Sequence, residues 1–464
     1  MTLAAAEIAL GAPNSVDVLH VVYQYTPEPL GGTEIYVQSL VQEATLLELR
    51  CAIAAPGASN ESYQVDGIDV YRVTANLTTA QLYGEENSEA TARWIEILAI
   101  VAPTILHIHA RTPVLNSQVL RHARQLGIKV IYTVHTATSF CQRGTMLEFG
   151  IKPCNGLVTL QRCTQCTLQG LGVPKLGTQI LARLPDRFLH AVSRIVPKKI
   201  AFALSFRSRM RRSQREQSAF FDACDHIVAV CHWIEDALKI NGVQKSRLSL
   251  NRQGLRSDLL TRGERIKPID SSPLKILALG RCDRHKGFDV LIQAIKRCVA
   301  SVELDLCLSI SSESDHALAE RLKALASGAK VRFRTNVSGT PLLELFTRND
   351  LLAAPSVGME TGPLVVLEAF SQLLPVIGSR QGGIAELVDH EKNGWLVAAG
   401  DADAWACALA AIAADRSKLY RARANIGPVR TMKQVAKEHI RLYQQVLAGD
   451  NLTTTSLAPR AETQ

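Results

Sequence analysis

Three observations predict an α/β fold of two doubly wound, Rossmann-like parallel sheets. Short apolar runs alternate with amphipathic helical stretches along most of the chain, the pattern of strand–helix units in a parallel sheet. At 464 residues the chain exceeds what one core ordinarily supports, so two domains are the default. Around residues 254–273 the apolar rhythm stops, and Arg256, Arg262, Gly263, Pro268, Ser271 and Pro273 accumulate as in an interdomain linker.

The first strand is predicted over Val16–Tyr23, continuous and apolar as a buried parallel strand should be. It runs into the turn-rich loop Tyr25-Thr-Pro-Glu-Pro-Leu-Gly-Gly and a helical pattern over Glu34–Leu49. Further strands follow at Ile105–Ile108, Val130–Val134, Ile227–Val230 and Leu248–Leu250, with helices such as Ala90–Val101 and His232–Asn241 between them. A second series begins at Leu274–Gly280 and continues with Leu304–Ile310, Val331–Phe333, Leu351–Ala354 and Val376–Gly378. Such sheets bind ligands beyond the carboxyl ends of their strands, so the expected site is a cleft between two facing sheets. The last helical pattern covers Thr431–Leu447, and the polar residues after Asp450 are expected to be disordered.

With 47% hydrophobic and 20% charged residues the chain reads as globular, and no apolar stretch is long enough to cross a bilayer. Met1–Pro13 lacks a basic start and a long hydrophobic region, so it is expected to be a disordered lead on a cytoplasmic protein. Most of the eleven cysteines stand alone in apolar runs, as Cys224, Cys298, Cys307 and Cys407 do, and read as small core hydrophobes. The net charge of +9 favours acidic partners without choosing among nucleic acid, phospholipid head groups and anionic substrates.

The most informative segment is Glu360-Thr-Gly-Pro-Leu-Val-Val-Leu-Glu368. Pro363 suits the first position of a helix, and Gly362 permits a tight entry into it. Leu364–Leu367 would carry Glu368 into the second turn, leaving Glu360 on the loop at the positive end. That end is an anion site for which phosphate is the natural guest. Carboxylates beside a phosphate repel it unless they accept hydrogen bonds from sugar hydroxyls. The pair thus suits a nucleotide sugar; the plain alternative is a loop Glu and a helix Glu without a role.

Pro355-Ser-Val-Gly-Met-Glu-Thr-Gly-Pro-Leu-Val-Val-Leu-Glu-Ala-Phe resembles the donor-binding segment of glycosyltransferase family 4, enzymes of the GT-B fold. The likeness continues through Leu374-Pro-Val-Ile-Gly-Ser-Arg-Gln-Gly-Gly-Ile-Ala-Glu-Leu-Val and Asn393-Gly-Trp-Leu-Val. Upstream, Gly280-Arg281 and Lys286-Gly287 resemble the family's phosphate motif, and Gly31-Gly32-Thr-Glu its N-terminal glycine loop. Together, in family order across almost the whole chain, these pieces are highly specific.

The resemblance implies site residues. Arg281 and Lys286 would hold the donor diphosphate and stabilise the leaving nucleoside diphosphate, an electrostatic form of catalysis. Taken by itself, their run with Arg284 and His285 reads as a solvated basic loop. Glu360 would bind hydroxyls of the donor sugar and Glu368 the ribose hydroxyls, with Gly362, Pro363 and Leu364 forming the phosphate-facing helix start. His135, closing its strand, would hydrogen-bond the donor sugar, whereas His107 and His109 read as buried structural histidines. Gly31 and Gly32 would contact the diphosphate or acceptor. Two departures stand out: Gln253-Gly254 replaces the usual Asn-Gly-Val, and Leu373 stands where relatives place a small Gly.

Cys141, Cys154, Cys163 and Cys166 fall within a short insert, about 141–166, closing in a Cys-x-x-Cys pair. Four thiolates suit a structural Zn²⁺, with free thiols or a redox pair as alternatives; catalysis itself requires no cofactor. A basic stretch, about 183–215, interleaves Arg183, Arg187, Arg194, Lys198, Lys199, Arg207, Arg209, Arg211, Arg212 and Arg215 with Phe, Ile and Leu. It reads equally as a surface for anionic membrane and as a solvated helical face. Nucleic acid is not expected, because no recognition motif accompanies the charge.

The expected architecture is an acceptor-side domain over 1–255, a nucleotide-sugar domain over 256–430, a helix over 431–449 that crosses back to the first domain, and a tail over 450–464. The expected activity is retaining transfer of a sugar from a nucleotide-diphosphate sugar to a glycan or lipid-linked acceptor in cell-surface polysaccharide synthesis, by a cytoplasmic enzyme peripheral on the inner leaflet. The alternatives are a nucleotide-sugar epimerase of similar architecture and a non-catalytic sugar-nucleotide-binding protein.

Overall fold

The computed structural model describes residues 16–193, 195–260 and 273–449. The lead before residue 16, Arg194, the linker residues Arg262, Gly263, Pro268 and Ser271, and the tail from Asp450 lie outside the described residues. The chain divides into two compact units, Met1–Arg252 with Val435–Gln464, and Gln253–Gln434.

The first unit opens with β1 (Val18–Val21), α1 (Gly32–Thr45), β2 (Cys51–Gly57), β3 (Ser62–Val65) and β4 (Ile68–Thr74). It continues with α2 (Ser88–Val101), β5 (Ile105–Ile108), α3 (Ser117–Gln125), β6 (Lys129–Val134) and the small hairpin β7 (Leu147–Glu148) and β8 (Lys152–Pro153). Then come α4 (Leu160–Gly170), α5 (Lys175–Leu181), α6 (Asp186–Ser193), α7 (Lys198–Ala223), β9 (His226–Ala229), α8 (His232–Ile240) and β10 (Leu248–Leu250). The sheet order is β10-β9-β6-β5-β1-β2-β4-β3, parallel except where β3 runs against β4. Both faces are covered, which is why β1, β5 and β9 are buried at every position and read as apolar apart from one histidine in each. Asn87 and Asn116 cap α2 and α3 by accepting backbone N–H groups, and α2 starts two residues before the predicted Ala90.

The second unit contains β11 (Leu274–Arg281), α9 (Phe288–Arg297), β12 (Val302–Ser309), α10 (Glu313–Leu325), β13 (Val331–Thr335), α11 (Gly339–Arg348) and β14 (Leu351–Ala354). It ends with α12 (Leu364–Ser371), β15 (Val376–Ser379), α13 (Gly382–Leu387), β16 (Gly394–Val397), α14 (Ala402–Ala414), α15 (Ser417–Ala424) and the start of α16 (Met432–Ala448). Its six strands are all parallel in the order β13-β12-β11-β14-β15-β16. One core packs α9, α10 and α14 on the sheet through Leu291, Leu322 and Trp405; a second packs α11 and α12 through Phe346 and Phe370.

From Val435 onward α16 groups with the first unit. Its Tyr443 hydroxyl pairs with His107 Nδ1 at 2.6 Å, and His439 Nε2 pairs with the Tyr36 hydroxyl at 2.9 Å. Leu373 takes a left-handed backbone, φ +53°, just past the end of α12. A side chain there costs energy that glycine avoids, and Leu373 offsets it by packing on the second core.

The basic stretch divides in two. In α7, Phe206 and Met210 pack on Leu168 of α4, and Asp186 takes both Arg207 and Arg211, at 2.5 and 2.8 Å. Arg212 pairs with Glu85, and Arg209 lies over the Phe202 ring. By contrast Lys175, Arg183, Arg187, Lys198 and Lys199 are exposed, as are Leu176, Ile180, Phe188, Ile195 and Ile200. None of those five cations has an ion-pair partner among the described residues. No described helix is long and apolar enough to cross a membrane.

Candidate active site

In the second unit the loops that leave β11 and β14 meet. Arg281 is the last residue of β11, and a short turn over Arg284–Lys286 leads to Gly287, which precedes α9. Gly287 has φ +67°, and a Cβ there would lie 2.1 Å from the Pro355 carbonyl oxygen, so the two loops touch backbone to backbone. Val357 N–H donates to the His285 carbonyl at 2.8 Å, stitching them together.

This contact sets Lys286 against Glu360. The Lys286 ammonium donates to Glu360 Oε1 at 2.7 Å, and the Ser356 hydroxyl donates to the same oxygen at 2.8 Å. Burial by itself would raise the Glu360 carboxyl; the charge and hydrogen bond of Lys286, then Ser356 and Arg281, hold it below its ordinary value. Arg281 is exposed and has no hydrogen-bond or ion-pair partner among the described residues. A cation pair beside a held carboxylate can take a diphosphate while offering the carboxylate to hydroxyls.

Gly362, at φ +105°, turns the chain into α12. Pro363 is the cap and Leu364 the first helical residue, one position later than the sequence reading. Glu368 accordingly sits in the second turn, half-buried. Burial pushes its carboxyl up to about 7, with Arg256 partly opposing. Arg256, counted as linker in the sequence, here stands near Glu368 and pairs with Asp258 at 2.5 Å. The same segment is fastened to α12, whose Ser371 hydroxyl donates to the Leu259 carbonyl at 3.2 Å.

Sequence reasoning missed Ser356 and Gln381. The Gln381 amide donates to the Val357 carbonyl at 2.7 Å, and the Gly383 N–H donates to the Glu360 carbonyl at 2.6 Å. Together they fix the loop that presents Glu360. The available signal was position: Ser356 lies two residues past the end of β14, and Gln381 precedes the Gly-Gly that starts α13.

In the first unit the strand ends carry imidazoles. His20 and His107 are register partners on β1 and β5, and His109 and His135 follow β5 and β6. His20 Nδ1 pairs with His109 Nε2 at 3.0 Å, and His109 Nδ1 with His135 Nε2 at 3.1 Å. His107 Nε2 pairs with the Thr133 hydroxyl at 2.8 Å. All four are buried. Burial lowers His20 and His135 to about 3; His107 and His109 fall well below the ordinary value through burial and then through the neighbouring imidazoles. His20, His107 and His109 bring ligand atoms within 4.8 Å of one another, although most of their nitrogens are committed to the hydrogen-bond chain. Gly31 caps α1, and its N–H donates to Glu34 Oε2 at 3.1 Å. Nothing crowds Gly32.

The four cysteines of the insert are free thiols, partly buried. Cys163 has Cys154 and Cys141 as electrostatic neighbours, whereas Cys166 Sγ accepts the Phe149 N–H at 3.1 Å. Among the described residues their sulfurs do not form a set within 4.8 Å of one another. A closed tetrahedral centre would therefore need Cys166 to exchange its present contacts.

A family profile described as glycosyltransferase family 4 matches residues 30–175, and one described as glycosyl transferases group 1 matches residues 273–415. The chain belongs to glycosyltransferase family 4. It is 25% identical over 215 residues to the amylovoran biosynthesis glycosyltransferase AmsK of Erwinia amylovora, covering 44% of this chain and 52% of that protein. The chain spans about half the length of the curated relatives it matches first, 57% and 52%. The fold is that of the solved sucrose-phosphate synthase from Thermosynechococcus elongatus, with TM-score 0.66, 17% identity, and 94% of this chain on 100% of that one. It is also that of Anabaena HepE, solved in complex with UDP and glucose, with TM-score 0.56, 14% identity, and 94% on 99%. Both units of this family-4 chain are thus GT-B-type Rossmann-like domains.

Proposed function

We propose that the protein transfers a hexosyl group, with retention, from a nucleotide-diphosphate sugar to a glycan or lipid-linked acceptor in polysaccharide synthesis. The observation that carries this reading is the Lys286–Glu360 pair at 2.7 Å with Arg281 beside it. Arg281 and Lys286 take the diphosphate, Glu360 accepts sugar hydroxyls, and Glu368 accepts the ribose hydroxyls. The backbone of Gly362, Pro363 and Leu364 borders the phosphates at the start of α12, and Gly31 and Gly32 serve the donor or acceptor from the first unit. His135, held by His109, is neutral and hydrogen-bonds the donor sugar. The bond from C1 to the phosphate oxygen breaks as negative charge grows on the leaving diphosphate, which the two cations stabilise. The acceptor hydroxyl attacks the same face, and its proton passes to the departing phosphate oxygen. AmsK, by its name, acts in amylovoran biosynthesis, and HepE was solved with UDP and with UDP-glucose, in keeping with this assignment.

Two further parts belong to this reading. Cys141, Cys154, Cys163 and Cys166 form a structural zinc site once Cys166 swings from the Phe149 N–H. The exposed cations and apolar side chains of α5, α6 and the start of α7 rest on the anionic inner leaflet, where a cytoplasmic enzyme meets a lipid-linked acceptor. Incubation with labelled UDP-, GDP- and ADP-sugars and lipid or glycan acceptors tests the activity. A product of retained configuration is expected. An inverted product, or hydrolysis alone, would refute it, and an isomerised sugar formed without acceptor would make the enzyme an epimerase.

A further inference from the structure

We propose that a pocket in the first unit is an acceptor subsite that selects a sugar bearing one oxyanion, a phosphate or a carboxylate, and that Arg111 receives it. The inference rests on the glycosyltransferase reading but concerns different residues. The pocket measures about 360 Å³ and lies at the carboxyl ends of β5 and β6, closed by the loop after β4 and by α7. Its size is that of a small-ligand site, and its position is the one where parallel sheets bind ligands.

Two groups in its wall lack hydrogen-bond partners among the described residues. Arg111 is half-buried with its guanidinium over the Phe220 ring, 5.9 Å from the centroid. It has no hydrogen bond or ion pair among the described residues. The acid nearest in effect, Glu216, is already engaged: its oxygens accept the Ser117 N–H and hydroxyl at 2.6 and 2.9 Å. Burial opposes the Arg111 charge, and Tyr132 and Glu216 offset it only in part. Thr112 is only 2% exposed, and its hydroxyl has no partner among the described residues. A half-buried fork donor next to a buried hydroxyl fits a planar or tetrahedral oxyanion.

The other charged side chains limit what else the ligand can be. Arg121 donates to the Ser117 hydroxyl at 3.2 Å, and Glu85 pairs with Arg212 at 3.2 Å. Glu86 is exposed in the same wall. These carboxylates would repel a polyanion, yet they accept hydrogen bonds from ring hydroxyls. One oxyanion on a hydroxyl-bearing ring satisfies both sets.

Calorimetric titration of the full chain with glucose 6-phosphate, glucuronate and methyl glucoside tests this, with UDP titrated separately. At least one anionic sugar should bind ten-fold or more tighter than methyl glucoside. Binding of glucose 6-phosphate alone identifies phosphate as the anion, and of glucuronate alone carboxylate. Arg111→Gln should weaken that binding at least ten-fold and the near-isosteric Thr112→Val several-fold, while UDP affinity stays unchanged. Equal binding of the neutral sugar, no binding of either anionic sugar, or unchanged affinity in both variants would overturn the subsite. Failure of UDP to bind would instead strike the donor assignment.

Discussion

Glu360→Gln should tighten the site for a nucleoside diphosphate and weaken it for the corresponding sugar nucleotide. Lys286 and Glu360 are about four-fifths covered, with side-chain exposures of 21% and 22%, and lie 2.7 Å apart. At an effective dielectric near 20, unit charges at that separation attract by about 6 kcal/mol before desolvation. The net worth of such a charge-assisted hydrogen bond is about 1.5–3 kcal/mol. A diphosphate that recruits Lys286 has to compete with Glu360 for the ammonium and to approach a negative carboxylate. Removing the carboxylate charge lifts both penalties, so UDP should bind about 1–2 kcal/mol more tightly, roughly five- to thirty-fold. The sugar nucleotide also loses a charged acceptor for its hydroxyls, so kcat/KM should fall by about one to two decades. Lys286→Met removes the shared cation and should weaken both ligands. Calorimetry with UDP and UDP-glucose, followed by steady-state turnover, reads these effects. Equal weakening of UDP and UDP-glucose by Glu360→Gln would refute the competition for Lys286. Near wild-type behaviour in Glu360→Gln, Lys286→Met and Arg281→Ala alike would remove the phosphate clamp altogether.

Other outcomes follow from the same geometry. Because the Glu368 carboxyl lies at about 7 and accepts ribose hydroxyls most strongly when ionised, UDP affinity should rise from pH 6 to 8, by about tenfold per unit at most, and Glu368→Gln should flatten the profile. His20, His135 and His226, lowered by burial to about 3, 3 and 4, stay neutral when folded but protonate near 6.5 when unfolded. The unfolded chain then binds more protons, so stability is full above pH 6.5 and falls below it, by about 1.4 kcal/mol per pH unit for each histidine; a melting temperature that does not fall between pH 7 and 5 would contradict this. Purified protein prepared without chelators should carry about one zinc per chain, and metal analysis finding none would leave the four cysteines as thiols. Co-sedimentation should need anionic vesicles, weaken with salt and fall when Lys198 and Lys199 are replaced by Glu; equal binding to neutral vesicles would argue for a solvated face instead.

The strands were legible because a parallel strand covered on both faces must be mostly apolar. Leu351–Ala354 carries that requirement at every position, and Ile105–Ile108 at all but His107. The turn at Gly362 and the placement of Glu368 in the second turn of α12 were legible for the same reason, since backbone freedom and helical spacing are local. Only the tertiary structure decided which charges meet. Lys286 and Glu360 are 74 residues apart and touch because neighbouring strands β11 and β14 release their loops on the same edge. Arg256 reads as linker until the chain folds it toward Glu368, and Gln381 reads as ordinary polar until its amide finds the Val357 carbonyl. In the basic stretch, composition counts every cation alike, yet Asp186 and Glu85 pair with Arg207, Arg211 and Arg212, while Lys198 and Lys199 are exposed without an ion-pair partner among the described residues. The imidazole chain from His20 through His109 to His135 depends on sheet order, which places β5 between β1 and β6. Periodicity and turn chemistry act over a few bonds and are therefore written along the chain. Ion pairs, hydrogen-bond chains and the burial that shifts a pKa depend on distances that exist only after the sheets have assembled.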